Sequence, residues 1–149
     1  MSDLPNPQSY YIFANISFST RKPFGATVKD GEEVLRAIWG QKRAWTLTYD
    51  DRDNGICMIY DTESGGSLGL KNSVSNRNTI FRVMDPGVEA QRWKLNKVDD
   101  DSFTIQLVTP VLLEFFWYVH HAGAIVIQAV APTSTERTWT LRSEAVDGP

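Results

Sequence analysis

Cysteine is almost absent from this chain, and that scarcity sets the first limits. The single Cys57 excludes an intrachain disulfide and the cysteine clusters of structural zinc sites. Histidine is nearly as scarce. His120 and His121 are adjacent, and neighbours on a strand point to opposite faces, so the pair does not converge on one metal. No metal or other cofactor is expected. Positive charge is not in excess either: the 149 residues carry a net charge of −3. A surface that tracks phosphates needs clustered Lys and Arg, so nucleic acid is not an expected partner.

Long apolar runs are missing as well. The longest lie near residues 111–119 and 122–131, with Glu114 inside the first, and both are too short to cross a bilayer. The start, Met1-Ser-Asp-Leu-Pro-Asn-Pro, has neither a basic region nor an apolar core of a secretory leader. The expectation is a cytoplasmic protein without a membrane partner, in which the sequon Asn15-Ile16-Ser17 carries no meaning. A glycine-rich phosphate loop and a G-x-S-x-G elbow are also absent. Cys57 lies inside an apolar stretch, where a core thiol is the expectation. No catalytic residues are assigned.

What is present is a repeat. Arg43-Ala-Trp-Thr-Leu47, Gln91-Arg-Trp-Lys-Leu95 and Arg137-Thr-Trp-Thr-Leu141 resemble one another, with tryptophans 48 and 46 residues apart. The surroundings repeat too. Trp45 is followed by the polar turn Asp50-Asp-Arg-Asp-Asn-Gly55 and the apolar Ile56-Cys-Met-Ile-Tyr60. Trp93 is followed by Asp99-Asp-Asp-Ser102 and Phe103-Thr-Ile-Gln-Leu107. Each reads as strand, turn, strand. Calcium is not implied, because the acidic spacing is not that of an EF-hand loop. After Trp139 the partner strand is missing, and Tyr10-Tyr-Ile-Phe13 is expected to supply it, which would close the structure and remove exposed edges. Further short β-rich runs occupy residues 34–39, 79–84 and 124–130, between Gly, Asn, Asp and Pro clusters. Residues 32–39 are the one stretch where two helical turns would also fit. Three units of four strands, at about 8–54, 55–101 and 102–149, predict a single all-β domain with twelve strands: a β-trefoil.

Gln91-Arg92-Trp93 resembles the Q-x-W signature of ricin-B-like trefoils, and Trp45 and Trp139 take the matching places. With its size and lack of disulfides, the chain resembles the small trefoils of mushrooms: ricin-B-like lectins and protease inhibitors of the mycocypin and cospin kinds. The first and third units depart from the signature, with Arg43 and Arg137 in place of Gln. The resemblance implies a non-enzymatic binding protein whose partner is a protease (serine, cysteine or asparaginyl) or a glycan.

Both readings have candidate residues. Sugar sites of this family use an Asp early in a unit, an aromatic shelf and a polar amide. Asp61 is the candidate acid, and Trp117 with His120, in the run Phe115-Phe-Trp-Tyr118, is the candidate shelf. An inhibitor of trypsin-like proteases needs a rigid, extended loop with Arg or Lys entering the S1 pocket, where an acid pairs with it. Arg21, Lys29, Arg52 and Arg77 fall in expected loops. Pro23 spoils Lys22, and Asp follows both Lys29 and Arg52. Arg77 lies in a long polar loop whose Asn72, Asn76 and Asn78 suit an asparagine-specific protease. An inhibitor is the leading expectation, with a lectin or a non-catalytic subunit of a larger complex as alternatives.

Overall fold

The computed structural model describes residues 4–15, 24–71, 78–110, 113–120, 123–129 and 138–143. Twelve strands lie among them: β1 (Ser9–Ala14), β2 (Phe24–Thr27), β3 (Arg36–Trp39), β4 (Ala44–Asp51), β5 (Ile56–Asp61), β6 (Ser67–Gly69), β7 (Phe81–Val83), β8 (Trp93–Asp99), β9 (Ser102–Leu107), β10 (Phe116–Val119), β11 (Ile125–Gln128) and β12 (Thr138–Ser143). All pairings are antiparallel. Six strands close a ring in the order β1, β4, β5, β8, β9, β12 and back to β1. The closing pair is the expected one, with Ile12 opposite Leu141 and Ala14 opposite Trp139.

Alternation explains the wall. Along β4, Trp45 and Leu47 point inward and are buried, while Thr46 and Thr48 face outward. The β4–β5 hairpin turns through a short 3-10 segment, Arg52–Asn54. Asp51 caps it by accepting the Asn54 N–H, and Gly55 follows at φ 73°, a left-handed conformation that glycine adopts without strain.

The other six strands form three hairpins, β2–β3, β6–β7 and β10–β11, which cover one end of the barrel. Their backbones meet in a closed cycle. The Leu35 N–H donates to Ile80 O (2.9 Å), Ile80 to Ile125 O (3.1 Å), and Ile125 to Leu35 O (2.9 Å). A second cycle surrounds it: Ala37 donates to Gly123 O, Arg82 to Glu33 O and Ile127 to Asn78 O. Equivalent residues in both cycles lie 45 positions apart, and Leu35, Ile80 and Ile125 are wholly buried.

Each repeated tryptophan ties the wall to its own hairpin. Trp45, Trp93 and Trp139 are buried, and their indole N–H groups donate to Ala26 O (2.9 Å), Leu68 O (3.0 Å) and Trp117 O (3.3 Å), on β2, β6 and β10. Trp117 also packs edge-on against Trp93 and Trp139, with centroids 5.6 and 5.5 Å apart.

Two expectations are settled by this core. Residues 32–39 do not form helical turns. Leu35 and Ala37 alternate inward along an edge that pairs with β2, and the Val34–Phe81 bridge fixes the entry, so tertiary pairing overrides local propensity. Cys57 is indeed a core thiol, wholly buried on β5, and burial pushes its pKa up to about 12.

Replacing Trp93 with Phe should cost roughly 1–3 kcal/mol for the stranded Leu68 carbonyl, plus a cavity term, read as a lower urea midpoint at unchanged slope. In native buffer at pH 8, Cys57 should resist a thiol reagent for hours and react within minutes once denaturant is added. Rapid native labelling would show that the thiol is not enclosed.

Candidate functional site

The residues expected to meet a sugar are placed where they serve the protein itself. Trp117 is wholly buried at the centre of the aromatic cluster, so the expected shelf is not a surface. This corrects the sequence reading, which could not tell the inward from the outward members of an all-aromatic strand. His120 is half-buried at the β10–β11 turn, where its N–H donates to Ala124 O and its carbonyl accepts from the Gly123 N–H.

Asp61 ends β5 with its side chain fully buried. Five donors converge on its carboxylate. Arg43 grips it through two nitrogens at 2.9 Å each, Arg82 Nη1 reaches it at 2.8 Å, Ser64 Oγ at 2.6 Å, and the Glu63 N–H at 3.3 Å. Glu33 holds the far side of Arg82, and Glu63 pairs with Arg43 at 3.3 Å. Burial alone would raise the Asp61 pKa. The hydrogen bonds from Arg43, Ser64 and Arg82 outweigh it and hold the carboxyl well below the usual carboxylate range. A sugar hydroxyl therefore has no oxygen left to address on Asp61. The equivalent positions in the other units carry Ala14 and Leu107, which lie opposite Trp139 and Trp93 as Asp61 lies opposite Trp45.

Sequence reading missed the partners of Asp61, although Arg43 was a signal. Where the first unit has Arg43, the second has Gln91, whose amide donates to Arg92 O (3.0 Å) and Val108 O (3.1 Å) just past the end of β9. The side chain at this position reaches the end of the following barrel strand, so an Arg there matches an acid at that end. Trp39 and Met84, both about half exposed at equivalent ends of β3 and β7, were also missed as surface groups.

The loop candidates separate clearly. Arg52 is not projecting: its Nη2 donates to Leu4 O (3.3 Å) and Asn6 Oδ1 (3.1 Å), and its guanidinium lies 5.2 Å from the Tyr49 ring centre. Together with Tyr49 Oη on Pro5 O (2.6 Å) and Tyr10 Oη on Asn6 O (2.7 Å), it clamps the N-terminal segment onto the barrel. Lys29 is exposed but begins a tight turn, its carbonyl accepting from Glu32 N–H at 3.0 Å beside Gly31 at φ 79°. That is a bent presentation, not an extended one. Asn78 is half-buried, with its carbonyl in the outer cycle of the cap. Arg21 and Arg77 lie outside the described residues, as do Asn72 and Asn76. Among the described residues, no group of three His, Cys, Asp or Glu side chains is arranged to hold a metal, and no helix is long and apolar enough to cross a membrane.

No protein-family model matches the chain, and no curated protein sequence does. Solved structures do match. A designed three-fold symmetric protein, ThreeFoil, superposes with a TM-score of 0.70 at 16% identity, over 91% of this chain and 98% of that one. The chain is a β-trefoil. A proteinase inhibitor from Coprinopsis cinerea shares the trefoil at TM-score 0.68 and 12% identity, covering 94% of this chain and 99% of that one. A ricin B-like lectin from Macrolepiota procera, solved with lactose, does so at 0.66 and 13%, covering 95% and 99%. At these identities the likeness shows the trefoil scaffold, which among these neighbours carries both protease inhibition and sugar binding.

The trefoil's buried acid makes a testable prediction. Asp61→Asn should lower stability by about 3–5 kcal/mol at neutral pH, because it leaves two largely buried guanidinium groups short of their counter-charge. The folded-state pKa of Asp61 is depressed, so its stabilisation is present above the unfolded pKa of about 4 and fades as pH falls below it. Urea midpoints measured from pH 6 down to pH 2 should fall less steeply for Asp61→Asn than for the wild type.

Proposed function

We propose that this trefoil is a protease inhibitor, acting without catalysis through the β6–β7 connection, with Arg77 as the residue offered to a trypsin-like S1 pocket. The observation that carries the reading is how that connection is mounted. It is the longest of the three equivalent hairpin connections, eleven residues (70–80) against eight (28–35) and five (120–124). Both of its ends are fixed. Leu70 packs on the core, Lys71 Nζ lies 4.5 Å from the Phe81 ring centre, and Ile80 is locked in the inner cycle of the cap. Anchors fixed by a closed scaffold need no further ordering on binding, which lowers the entropy cost of placing a loop in a protease cleft. The internal use of Asp61 and Trp117 supports the same choice over a sugar site.

Residual trypsin activity titrated with the protein tests this. Activity should fall linearly to near zero at a simple molar ratio, and Arg77→Ala should raise the inhibition constant at least about 100-fold while leaving the urea midpoint unchanged. Unchanged activity of trypsin at large molar excess would remove the trypsin reading. Inhibition of an asparaginyl protease would then move the contact to the loop's asparagines, and sugar-reversible agglutination would favour a glycan partner.

A further inference from the structure

Side chains of the first unit hold residues 4–6 through their carbonyls. Tyr49 Oη donates to Pro5 O (2.6 Å), Tyr10 Oη to Asn6 O (2.7 Å), and Arg52 Nη2 to both Leu4 O (3.3 Å) and Asn6 Oδ1 (3.1 Å). Pro5 and Pro7 have no backbone N–H, so the segment presents mainly acceptors and the barrel answers with donors. Leu4 adds an apolar anchor. It packs against the core, and a Cβ placed on Gly55 would lie 3.4 Å from its Cδ1. The barrel ladder takes over at Gln8, whose carbonyl accepts from the Leu47 N–H at 3.0 Å.

The pseudo-symmetry shows that the trefoil does not require these donors. Tyr10, Cys57 and Phe103 are equivalent, each directly opposite a repeated tryptophan, Trp45, Trp93 and Trp139. Four residues after those tryptophans stand Tyr49, Lys97 and Ser143. Both phenols therefore belong to the first unit alone. Arg52 is equally particular to it. The β4–β5 turn places residues 52–55 between the paired Asp51 and Ile56, where the β8–β9 turn has only 100–101 between Asp99 and Ser102. The longer turn carries the guanidinium back over the Tyr49 ring, 5.2 Å from its centre. Two phenols and one guanidinium thus meet at one corner. Tyr49 stands at the other end of β4 from Trp45, whose indole reaches the cap, so this corner lies at the barrel end away from the cap.

We propose that Tyr10, Tyr49 and Arg52 form a receptor for an extended Leu-Pro segment of a partner polypeptide, and that residues 4–6 occupy it in the resting chain as a strap which such a segment displaces. The occupant is identified by what already sits there: in the chain's own Leu4-Pro-Asn6, each of the three backbone carbonyls is taken by a donor. Proline fixes φ, so a segment of this kind is close to its bound form beforehand and loses little chain entropy on docking. The strap is tethered and competes at an effective concentration in roughly the millimolar range. A partner therefore gains access by carrying further contacts, or by meeting a chain whose strap has been weakened. The residues differ from those of the loop 70–80, and either surface can fail without the other.

The test uses the full chain with 13C-labelled tyrosine rings, and capped Asp-Leu-Pro-Asn-Pro, the strap's own sequence, as the probe. In Leu4→Ser, which loses the anchor, the Tyr10 and Tyr49 signals should shift saturably at roughly millimolar peptide. The wild type should need at least about ten times as much, because its strap holds the site. Replacing both prolines of the peptide with Ala should weaken its binding about threefold or more. If Leu4→Ser does not fold, Asn6→Gly, at an exposed position, removes a contact to Arg52 and should open the site to the same peptide. Tyrosine signals unmoved by the peptide in a folded strap variant would overturn the proposal. So would equal affinity for wild type and variant, or for the peptides with and without proline. It would equally fail if the signals moved only with protein concentration, marking a second copy as the occupant.

Discussion

One buried indole N–H per unit fastens the wall of the barrel to the hairpin that caps it. A tryptophan fills the core as no smaller side chain does, yet its N–H needs an acceptor when dehydrated. Here the acceptor is always a carbonyl on the second strand of the same unit. That fixes each hairpin against its own barrel strand, and the hairpins then meet in the cycle of Leu35, Ile80 and Ile125. Closure of the barrel leaves its six strands without free edges, and closure of the cap satisfies backbone groups that would otherwise be buried unpaired.

With the scaffold determined by three repeats of the same contacts, the units are free to differ elsewhere, and the second unit differs most. Where the first and third have Ala14 and Leu107, it has Asp61; where they have Ala37 and Ile127, it has Arg82; where they have Phe24 and Phe115, it has Gly66. These exchanges form one set. The Arg82 stem and the Met84 thioether take the space beside Gly66, and Asp61 pairs with both Arg43 and Arg82. At the far end of the same hairpin is the longest connection of the cap.

Much of the architecture was legible in the sequence because tryptophan is rare and three of its five copies are evenly spaced. The strand–turn–strand pattern after Trp45 and Trp93, and the return of the N-terminal strand to Trp139, followed from that spacing. The cap cycle was harder to read, since Leu35, Ile80 and Ile125 are ordinary aliphatics among many. Trp117 misled because a run of four aromatics conceals the period of two. Asp61 stood out as an acid at a strand end, but its partners lie 18 and 21 residues away and are brought to it only by the fold. The role of Gly66 was hidden for a simpler reason: a glycine reads as a turn until its counterparts, Phe24 and Phe115, are known, and the side chains that take its space, Arg82 and Met84, lie 16 and 18 residues on.

The three units form one cooperative body, with both ends of the long β6–β7 connection fixed to it. Native-state hydrogen exchange of the Leu35, Ile80 and Ile125 amides and the three indole N–H groups tests it most directly. All six should exchange only through global unfolding, with one common free energy equal to that from urea denaturation. Exchange of Ile80 or Trp93 through a separate opening, at a markedly lower free energy than the others, would show that the second unit loosens by itself and that the three units are not one cooperative body.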